Sequence, residues 1–212
     1  SANVEAGFSI VSYTGTGAVA TVGHGLSIAP EMVITKARSS ARPWIVYHAS
    51  NTTVPETDYV RLNETTATAD YDMWNDTAPT SSVFSISSYD WVNNTGDGFI
   101  AYAFHSVDGY SKVGSYTGNG STDGTFVHCG FRPAYVMMKG NTAGDSWVIW
   151  DATRDPYNVG VDYLLANSSG AEGSGSAFDF LSNGFKPRET GRGVNGAGNT
   201  ILFIAFAESP FK

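Results

Sequence analysis

Short apolar runs alternate with polar segments along the whole chain. The runs are rich in β-branched and aromatic residues, and clusters of Gly, Asn, Asp, Pro and Ser separate them. This pattern is typical of β-strands joined by turns, so we expect an all-β protein. The clearest predicted strands are MVITKA (32–37), WIVYHA (44–49), FIAYAF (99–104), YVMMK (135–139), WVIWDA (147–152) and ILFIAFA (201–207).

Helical periodicity is weak throughout the sequence. No segment keeps apolar residues at a spacing of 3.6 residues over three turns. The best candidates for a single short helical turn are residues 49–62 and 161–173.

A six-residue turn occurs twice in nearly the same form. SYTGTG begins at residue 12 and SYTGNG at residue 115, a separation of 115 − 12 = 103 residues. Two further pairs of segments repeat at this separation: PEMVITK (30–36) with PAYVMMK (133–139), and WIVY (44–47) with WVIW (147–150). Three motifs in one register predict a tandem duplication.

The predicted copies cover residues 1–108 and 109–212. A period of this length is far longer than the roughly 20–50 residues of solenoid and propeller units, so each copy is expected to be a domain. We expect two tandem antiparallel β-sandwich domains of jelly-roll type.

The last predicted strand, ILFIAFA, is apolar on both faces, which is typical of a central strand covered on both sides. A terminal apolar strand that ended in solvent would be an exposed edge, and pairing with a neighbouring domain or subunit would remove that hazard. The residues predicted to contribute to assembly are Ile201, Leu202, Phe203, Ile204, Phe206 and Phe211.

Composition and charge exclude several partners. The 212 residues carry a formal net charge of −8 and no basic run, so nucleic acid is not expected to bind. No apolar stretch approaches the roughly 20 residues that span a bilayer, so we expect no membrane partner. Cys129 is the single cysteine, and stability must therefore come from packing and not from an internal disulfide.

The sequence contains six Asn-X-Ser/Thr triplets. They have two explanations: the abundance of these residue types, which is the favoured one, or glycosylation of an extracellular surface. The candidate acceptors are Asn51, Asn63, Asn75, Asn93, Asn119 and Asn167.

The sequence has no recognisable catalytic signature. It contains no GxSxG, HExxH, P-loop or dinucleotide-binding motif. His24 and His128 take nearly matching places in the two copies, which favours a structural role over zinc binding or catalysis. We therefore expect no enzyme activity, no cofactor and no metal. A glycan-cleaving enzyme is the least favoured alternative, and its clustered carboxylates would be Asp151 and Asp155.

Residues 151–158, DATRDPYN, form the densest charged segment. Arg154 between Asp151 and Asp155 is expected to pin a loop through ion pairs. The alternative is a carbohydrate or Ca²⁺ site, because Asp and Asn supply hard oxygen ligands.

Aromatic residues in turn-like sequence are the remaining binding candidates, because sugar sites use an exposed aromatic face. Trp44 and Trp147 are expected in the core, whereas Trp74, Trp91, Tyr110 and Tyr157 are expected at the surface. The candidate carbohydrate-binding residues are Trp91, Tyr157, Asp151, Arg154 and Asp155.

Long segments of the chain resemble a repeated module of bacteriophage tail and virion proteins from marine and freshwater phages. In the second copy these are FVHCGFRPAYVMMK, WVIWDATRDPYN, YLLANSSGAEGSGSAFDFLSNGFK and ILFIAFAESPFK. The first copy resembles the companion repeat through SYTGTGAVATVGHGLSIAPEMVITKAR and MWNDTAPTSSVFSI. The resemblance implies an all-β module in a fibre-like or surface-exposed assembly, without catalytic residues.

Two functions follow as expectations. The first is a structural subunit of an extracellular or virion-associated fibre that assembles with copies of itself. The second is a lectin-like module that recognises a cell-surface glycan. In both cases we expect the protein at a virion surface or outside the cell.

Overall fold

The computed structural model describes residues 1–142 and 144–208, with residue 192 described by its backbone only. These residues fold into two compact units. Unit 1 comprises residues 1–62 and 68–106, and unit 2 comprises residues 63–67 and the chain from residue 107 onward. The sequence offered no sign that the short segment 63–67 would belong with the second unit.

Unit 1 is built from antiparallel strands, one single-turn α-helix and one 3-10 helix at Pro55–Thr57. Its larger sheet has the order β1-β2-β9-β4-β5-β6-β7, and β3 pairs with β8 in a second sheet. The elements are β1 (Ala2–Asn3), β2 (Phe8–Thr14), β3 (Ala20–Gly23), β4 (Met32–Ala37), β5 (Ile45–His48), β6 (Asp58–Arg61), β7 (Ala69–Asp70), β8 (Val83–Ile86), α1 (Asp90–Asn93) and β9 (Gly98–Phe104).

Unit 2 forms one sheet of eight strands in the order β10-β17-β12-β13-β14-β15-β16-β11. All its pairs are antiparallel. The elements are β10 (Ser111–Thr117), β11 (Val127–His128), β12 (Pro133–Gly140), β13 (Val148–Asp151), β14 (Gly160–Leu165), β15 (Gly173–Leu181), β16 (Gly184–Pro187), α2 (Arg192–Asn195) and β17 (Thr200–Ala207).

The predicted all-β class is confirmed, since the described chain consists of antiparallel sheets with single-turn helices. The two units also share a strand order: β2-β9-β4-β5-β6-β7 in unit 1 corresponds to β10-β17-β12-β13-β14-β15 in unit 2. They differ at the margins. In unit 1 β1 pairs with the outer edge of β2, and β3 and β8 form a separate sheet.

Each unit has its own hydrophobic core. In unit 1, Val22 and Phe84 of the smaller sheet pack with Val33, Tyr47 and Ala101 of the larger one. In unit 2 the core combines residues from both ends of the sheet, including Trp150, Phe178, Phe185 and Phe203, whose rings contact each other. Burial of these large apolar side chains is the main source of stability.

Both faces of the central strands are covered, as the apolar runs predicted. Met32 and Val33 are adjacent in β4 and therefore point to opposite faces, yet both are fully buried. Ile201 and Leu202 in β17 show the same burial. Neither strand is an edge of its sheet.

The repeated SYTG turn holds the short helix of each unit. The Tyr13 hydroxyl donates to the Val92 carbonyl (2.8 Å), and the Tyr116 hydroxyl donates to the Val194 carbonyl. Gly17 N–H donates to the Asn93 carbonyl at 2.9 Å. Both turns therefore dock onto the last residues of α1 or α2.

The fourth residue of each turn must be glycine for steric reasons. A Cβ added to Gly15 would lie 2.0 Å from the Asn94 carbonyl oxygen, and one added to Gly118 would lie 2.3 Å from the Gly196 carbonyl oxygen. Only a residue without Cβ lets these backbones approach so closely.

The helical predictions were partly wrong. The 3-10 helix at Pro55–Thr57 lies inside the predicted segment 49–62. The predicted turn at 161–173 instead contains the end of β14, because this segment pairs with β13 and β15. The two α-helices lie at sites that the weak periodicity did not indicate.

Candidate functional site

An open cleft of about 500 Å³ lies in unit 1, between the segment that follows β7 and the segment that joins β8 to α1. We call it the tyrosine cleft. Ser87 N–H donates to the Met73 carbonyl (3.0 Å), so the two walls are hydrogen-bonded to each other. The residues that line the cleft are Tyr71, Asp72, Ser87, Ser88, Tyr89 and Asp90.

Two tyrosine rings form the aromatic part of the cleft. The side chain of Tyr71 is 49% exposed, and its ring centroid lies 4.6 Å from that of Tyr89 with a tilt of 56°. Tyr89 precedes α1 with an extended backbone, and its N–H donates to the buried Ser87 Oγ (3.1 Å). The pair therefore offers a partly exposed aromatic surface on a fixed backbone.

Trp91 lies behind this pair. Its ring centroid is 5.2 Å from Tyr89 and 6.3 Å from Tyr59, both at steep angles. The Arg61 guanidinium lies 4.6 Å above the Trp91 ring, a cation–π contact, and donates to the Tyr59 hydroxyl (3.2 Å). Trp91, which was predicted to be an exposed sugar platform, is partly buried and packs behind Tyr89, and its role in sugar binding stays a prediction.

Hydrogen-bonding groups surround the tyrosines. Asp90 is held by an ion pair with Arg42 (2.7 Å), and the exposed Asp72 carboxylate lies on the opposite wall. Burial raises the pKa of the Tyr89 hydroxyl, and Tyr71 and Asp90 add to this effect. The hydroxyl stays protonated at neutral pH and can donate a hydrogen bond. The cleft combines aromatic faces, carboxylate acceptors and hydroxyl groups.

The charged loop of unit 2 uses its groups internally. Asp151 accepts hydrogen bonds from the backbone (2.8 Å) and side chain (3.0 Å) of Arg154, which also pairs with Glu172. Asp155 Oδ2 accepts from the N–H groups of Val161 (2.8 Å) and Asp162 (2.6 Å). Arg154 thus holds the loop through Asp151 and Glu172, whereas Asp155 holds it through backbone hydrogen bonds in place of the expected ion pair with Arg154.

Tyr157 is the most exposed large hydrophobic residue among those described, at 84%. It lies in unit 2, whereas Trp91 lies in unit 1, so the five predicted sugar-binding residues do not form a single group within one unit. Its role in binding stays a prediction.

Other aromatic expectations were corrected by burial. Trp74 was expected at the surface but is 2% exposed, and its Nε1 donates to the Asp58 carbonyl (3.0 Å). Tyr110 is only partly exposed. Trp147 is fully buried as expected, whereas Trp44 is partly exposed and stacks on Tyr102.

The six candidate glycosylation sites differ in how deeply their asparagines are buried. Asn93 is fully buried and its Nδ2 donates to the carbonyls of Ala18 (2.6 Å) and Ser87 (2.8 Å). Asn51 is buried, and its Oδ1 accepts from Thr68 (2.7 Å). The folded protein has no room for a glycan at these two positions, so these predictions are wrong.

The other four candidates have accessible side chains. Asn63 and Asn119 are exposed, and Asn75 and Asn167 are partly buried. They stay predictions.

The predicted assembly strand lies inside unit 2. β17 pairs with β10 on one side and β12 on the other, and Ile201, Leu202, Phe203 and Ile204 are buried. An assembly role for these four residues is therefore wrong, because no exposed edge exists there. Phe206 is partly buried and contacts Tyr110 and Tyr135. Phe211 lies outside the described residues.

The histidines differ from one another in environment. His24 is buried, its Nδ1 accepts from Leu26 N–H (3.1 Å), and its Nε2 contacts the Thr80 carbonyl (3.1 Å). His128 is exposed. Among the described residues no group of three or more His, Cys, Asp or Glu side chains could hold a metal ion. No helix in this part of the chain is long and apolar enough to cross a membrane.

Sequence reasoning missed the tyrosine cleft. Its residues come from two separate segments, and only the run SSYDW at residues 87–91 carries a local signal, with aromatics on both sides of an aspartate. The contribution of Tyr71 and Asp72 depends on the tertiary fold.

Comparison with known proteins gives a family but no characterised relative. Neither the curated proteins nor the solved structures contain a match. A family model described as "Domain of unknown function (DUF7483)" matches residues 1–210, nearly the entire chain. The chain therefore belongs to the DUF7483 family.

Proposed function

We propose that unit 1 binds a carbohydrate in the tyrosine cleft. The observation that carries the proposal is the partly exposed Tyr71 ring packed on Tyr89, with Asp72, Ser88 and Asp90 beside it. An aromatic face matches the apolar C–H side of a pyranose, and carboxylates accept hydrogen bonds from its hydroxyls. The openness of the cleft suits a residue within a longer glycan.

The negative charge of the cleft indicates which classes of glycan it can bind. Asp72 and Asp90 line the cleft, and the whole chain carries a net charge of −8. Anionic sugars would be repelled by this field. The proposed ligands are therefore neutral glycans and glycans with amino groups.

Removing the exposed ring tests the proposal. In Tyr71→Ala, binding to a glycan array of neutral and amino-sugar oligosaccharides is expected to weaken about tenfold, because a stacking contact of roughly 1 kcal/mol or more is lost. Tyr157→Ala is the matched control, since it removes another exposed tyrosine from the other unit.

Two results would contradict the proposal. One is equal binding by Tyr71→Ala and the unmodified protein. The other is loss of binding only in Tyr157→Ala, which would place recognition at the charged loop of unit 2. Matching thermal unfolding midpoints for the variants and the unmodified protein would show that neither change disturbs the fold.

The proposed setting is a virion-associated or other extracellular fibre. The resemblance to phage tail modules supports this setting, and a glycan-recognition module has its ligand at a cell surface. The shared strand order and the matching helix-docking bonds support an origin of both units from one duplicated, jelly-roll-like β-sandwich domain. An experimental structure with different strand orders in the two units would contradict that origin.

A further inference from the structure

A second cavity, of about 300 Å³, lies beside α2 in unit 2. We call it the glycine pocket, because Gly191 and Gly193 line it. This volume is at the lower end of the roughly 300–1,000 Å³ typical of small-molecule sites. The other residues around it include Asp145, Tyr163, Ser176 and Glu189.

A buried asparagine at the end of α2 makes two hydrogen bonds that match those of its counterpart in unit 1. Asn195 is fully buried, like Asn93, and its Nδ2 donates to the carbonyls of Ser121 (2.7 Å) and Glu189 (2.9 Å). Asn93 makes the corresponding bonds to Ala18 and Ser87. α1 and α2 therefore hold equivalent places, and their sequences DWVN and RGVN can be compared directly.

This comparison places Gly193 where unit 1 has Trp91, and Gly191 where unit 1 has Tyr89. In unit 1 the Trp91 indole packs against Tyr59 at 6.3 Å. The counterpart of Tyr59 is Tyr163, which follows an aspartate in the same strand of the sheet and lines the glycine pocket. Unit 2 thus keeps this tyrosine but has no aromatic side chain at residues 191 and 193.

Backbone geometry does not demand these glycines. The nearest atom to a Cβ added at Gly193 is Asp145 Cβ at 3.5 Å, and at Gly191 it is Glu189 Cδ at 3.5 Å. Both are ordinary van der Waals distances, and neither residue has a positive φ. Because the two glycines carry no side chains, the carboxylates of Asp145 and Glu189 line the pocket together with Tyr163.

Two carboxylates among the described residues supply acceptors to the pocket. The Asp145 side chain is buried, and its Oδ1 lies 3.5 Å from the position of a Gly193 Cβ. The loop that carries it is anchored by Lys139 Nζ, which donates to the Asp145 carbonyl (2.6 Å). Glu189 accepts from Ser176 Oγ (3.1 Å), and burial raises the pKa of its carboxyl group.

We propose that the glycine pocket binds a single pyranose ring, which takes the place that the Trp91 indole holds in unit 1. Tyr163, Leu165 and Val194 supply the apolar wall. Asp145 and Glu189 accept hydrogen bonds from ring hydroxyls or an amino group. An aromatic ligand fits less well, because an indole has one N–H donor for two carboxylates.

The choice of a sugar as ligand rests on the proposed function of unit 1, but the site is separate. The chain would then carry two glycan sites, one in each unit. Two linked sites raise the overall affinity for a polymeric glycan without any new contact at either site.

Amide chemical shifts locate the binding directly. The unmodified protein is titrated with the methyl glycosides of glucose, galactose, N-acetylglucosamine and glucosamine. At least one sugar is expected to shift the amides of Gly191 and Gly193 together. If none of the four shifts these amides, the inference is overturned, whatever happens at Tyr71 and Tyr89.

Variants separate this inference from the proposed function. Gly193→Trp fills the pocket as Trp91 does in unit 1, so the shifts in unit 2 should vanish while those in the tyrosine cleft stay. Gly193→Ala is the small control and should keep binding. Unchanged binding in unit 2 of Gly193→Trp would overturn the pocket assignment.

Glu189→Gln keeps the inference testable if the tryptophan variant does not fold. We expect about tenfold weaker binding in unit 2, because a charge-assisted hydrogen bond becomes a neutral one. Equal affinity in this variant would exclude Glu189 as a ligand-binding group. If Tyr71→Ala loses glycan binding while Gly193→Trp and Glu189→Gln keep it, recognition is confined to unit 1.

Discussion

A buried lysine connects the stability of unit 2 to pH. Lys139 in β12 is fully buried, and its Nζ donates to the Asp145 carbonyl (2.6 Å). Burial lowers the pKa of Lys139 to about 8, and the nearby Asp145 partly opposes this effect. In the unfolded chain the pKa returns to its ordinary value of 10.5. The folded state therefore binds fewer protons between these two values.

This difference predicts a stability that rises with pH. From pH 8 to pH 10 the free energy of unfolding should increase by roughly 2 kcal/mol relative to Lys139→Met, which has no group titrating there. Well below pH 8 both states are protonated and the slope vanishes. Urea denaturation of both proteins across this range measures the difference, in which titration of the other groups cancels. A constant difference would contradict the lowered pKa.

Single residues also mark the limit of sequence reasoning. Trp74 and Trp91 both lie in polar, turn-like sequence, and this sequence context predicted that both side chains would be exposed. Trp74 is buried because its indole N–H finds the Asp58 carbonyl, and Trp91 is partly buried because Arg61 lies over its ring. Such partners come from distant segments and have no local signature in the sequence.

At the level of elements, the repeated SYTG turn packs closely against the end of the short helix in each unit. Gly15→Ala and Gly118→Ala should each reduce the free energy of unfolding by about 1–3 kcal/mol, because the added Cβ would lie 2.0 or 2.3 Å from a backbone carbonyl oxygen. Gly98→Ala is the control: a Cβ there meets nothing within 4 Å. Chemical denaturation compares the three. A cost in the control equal to that in the turn variants would contradict the steric explanation.

Strand periodicity predicted where the strands lie in the sequence better than which strands pair with each other. The apolar runs located β4, β5, β9, β12, β13 and β17, and their two-faced character correctly indicated central strands. The position of ILFIAFA near the end of the sequence suggested a free edge, but strand order in an antiparallel sheet does not follow sequence order. β17 comes last among the described strands in the sequence, yet in the sheet it pairs with β10 on one edge and with β12 on the other.

At the scale of the whole molecule, the internal repeat carried the most information. The constant separation of three motifs indicated two similar halves, and the two units share a strand order. The repeat did not reveal where the two units differ in the residues that line their pockets. Unit 2 has Gly191 and Gly193 where unit 1 has Tyr89 and Trp91. This correspondence is visible only in the structure, because the matching hydrogen bonds of Asn93 and Asn195 show that α1 and α2 hold equivalent positions.

The two units would then contact glycans in different ways. Unit 1 presents tyrosines in an open cleft, and unit 2 offers a smaller pocket from which the equivalent aromatic side chains are missing. Carboxylates line both sites and would favour neutral and amino sugars.

The most direct measurement is a crystal structure of the protein with a bound oligosaccharide that the glycan array has selected. The account predicts a pyranose ring stacked on Tyr71, with its hydroxyls hydrogen-bonded to Asp72 or Asp90. A sugar bound only at the loop around Tyr157, or a tyrosine cleft that holds no sugar in saturated crystals, would contradict the central claim.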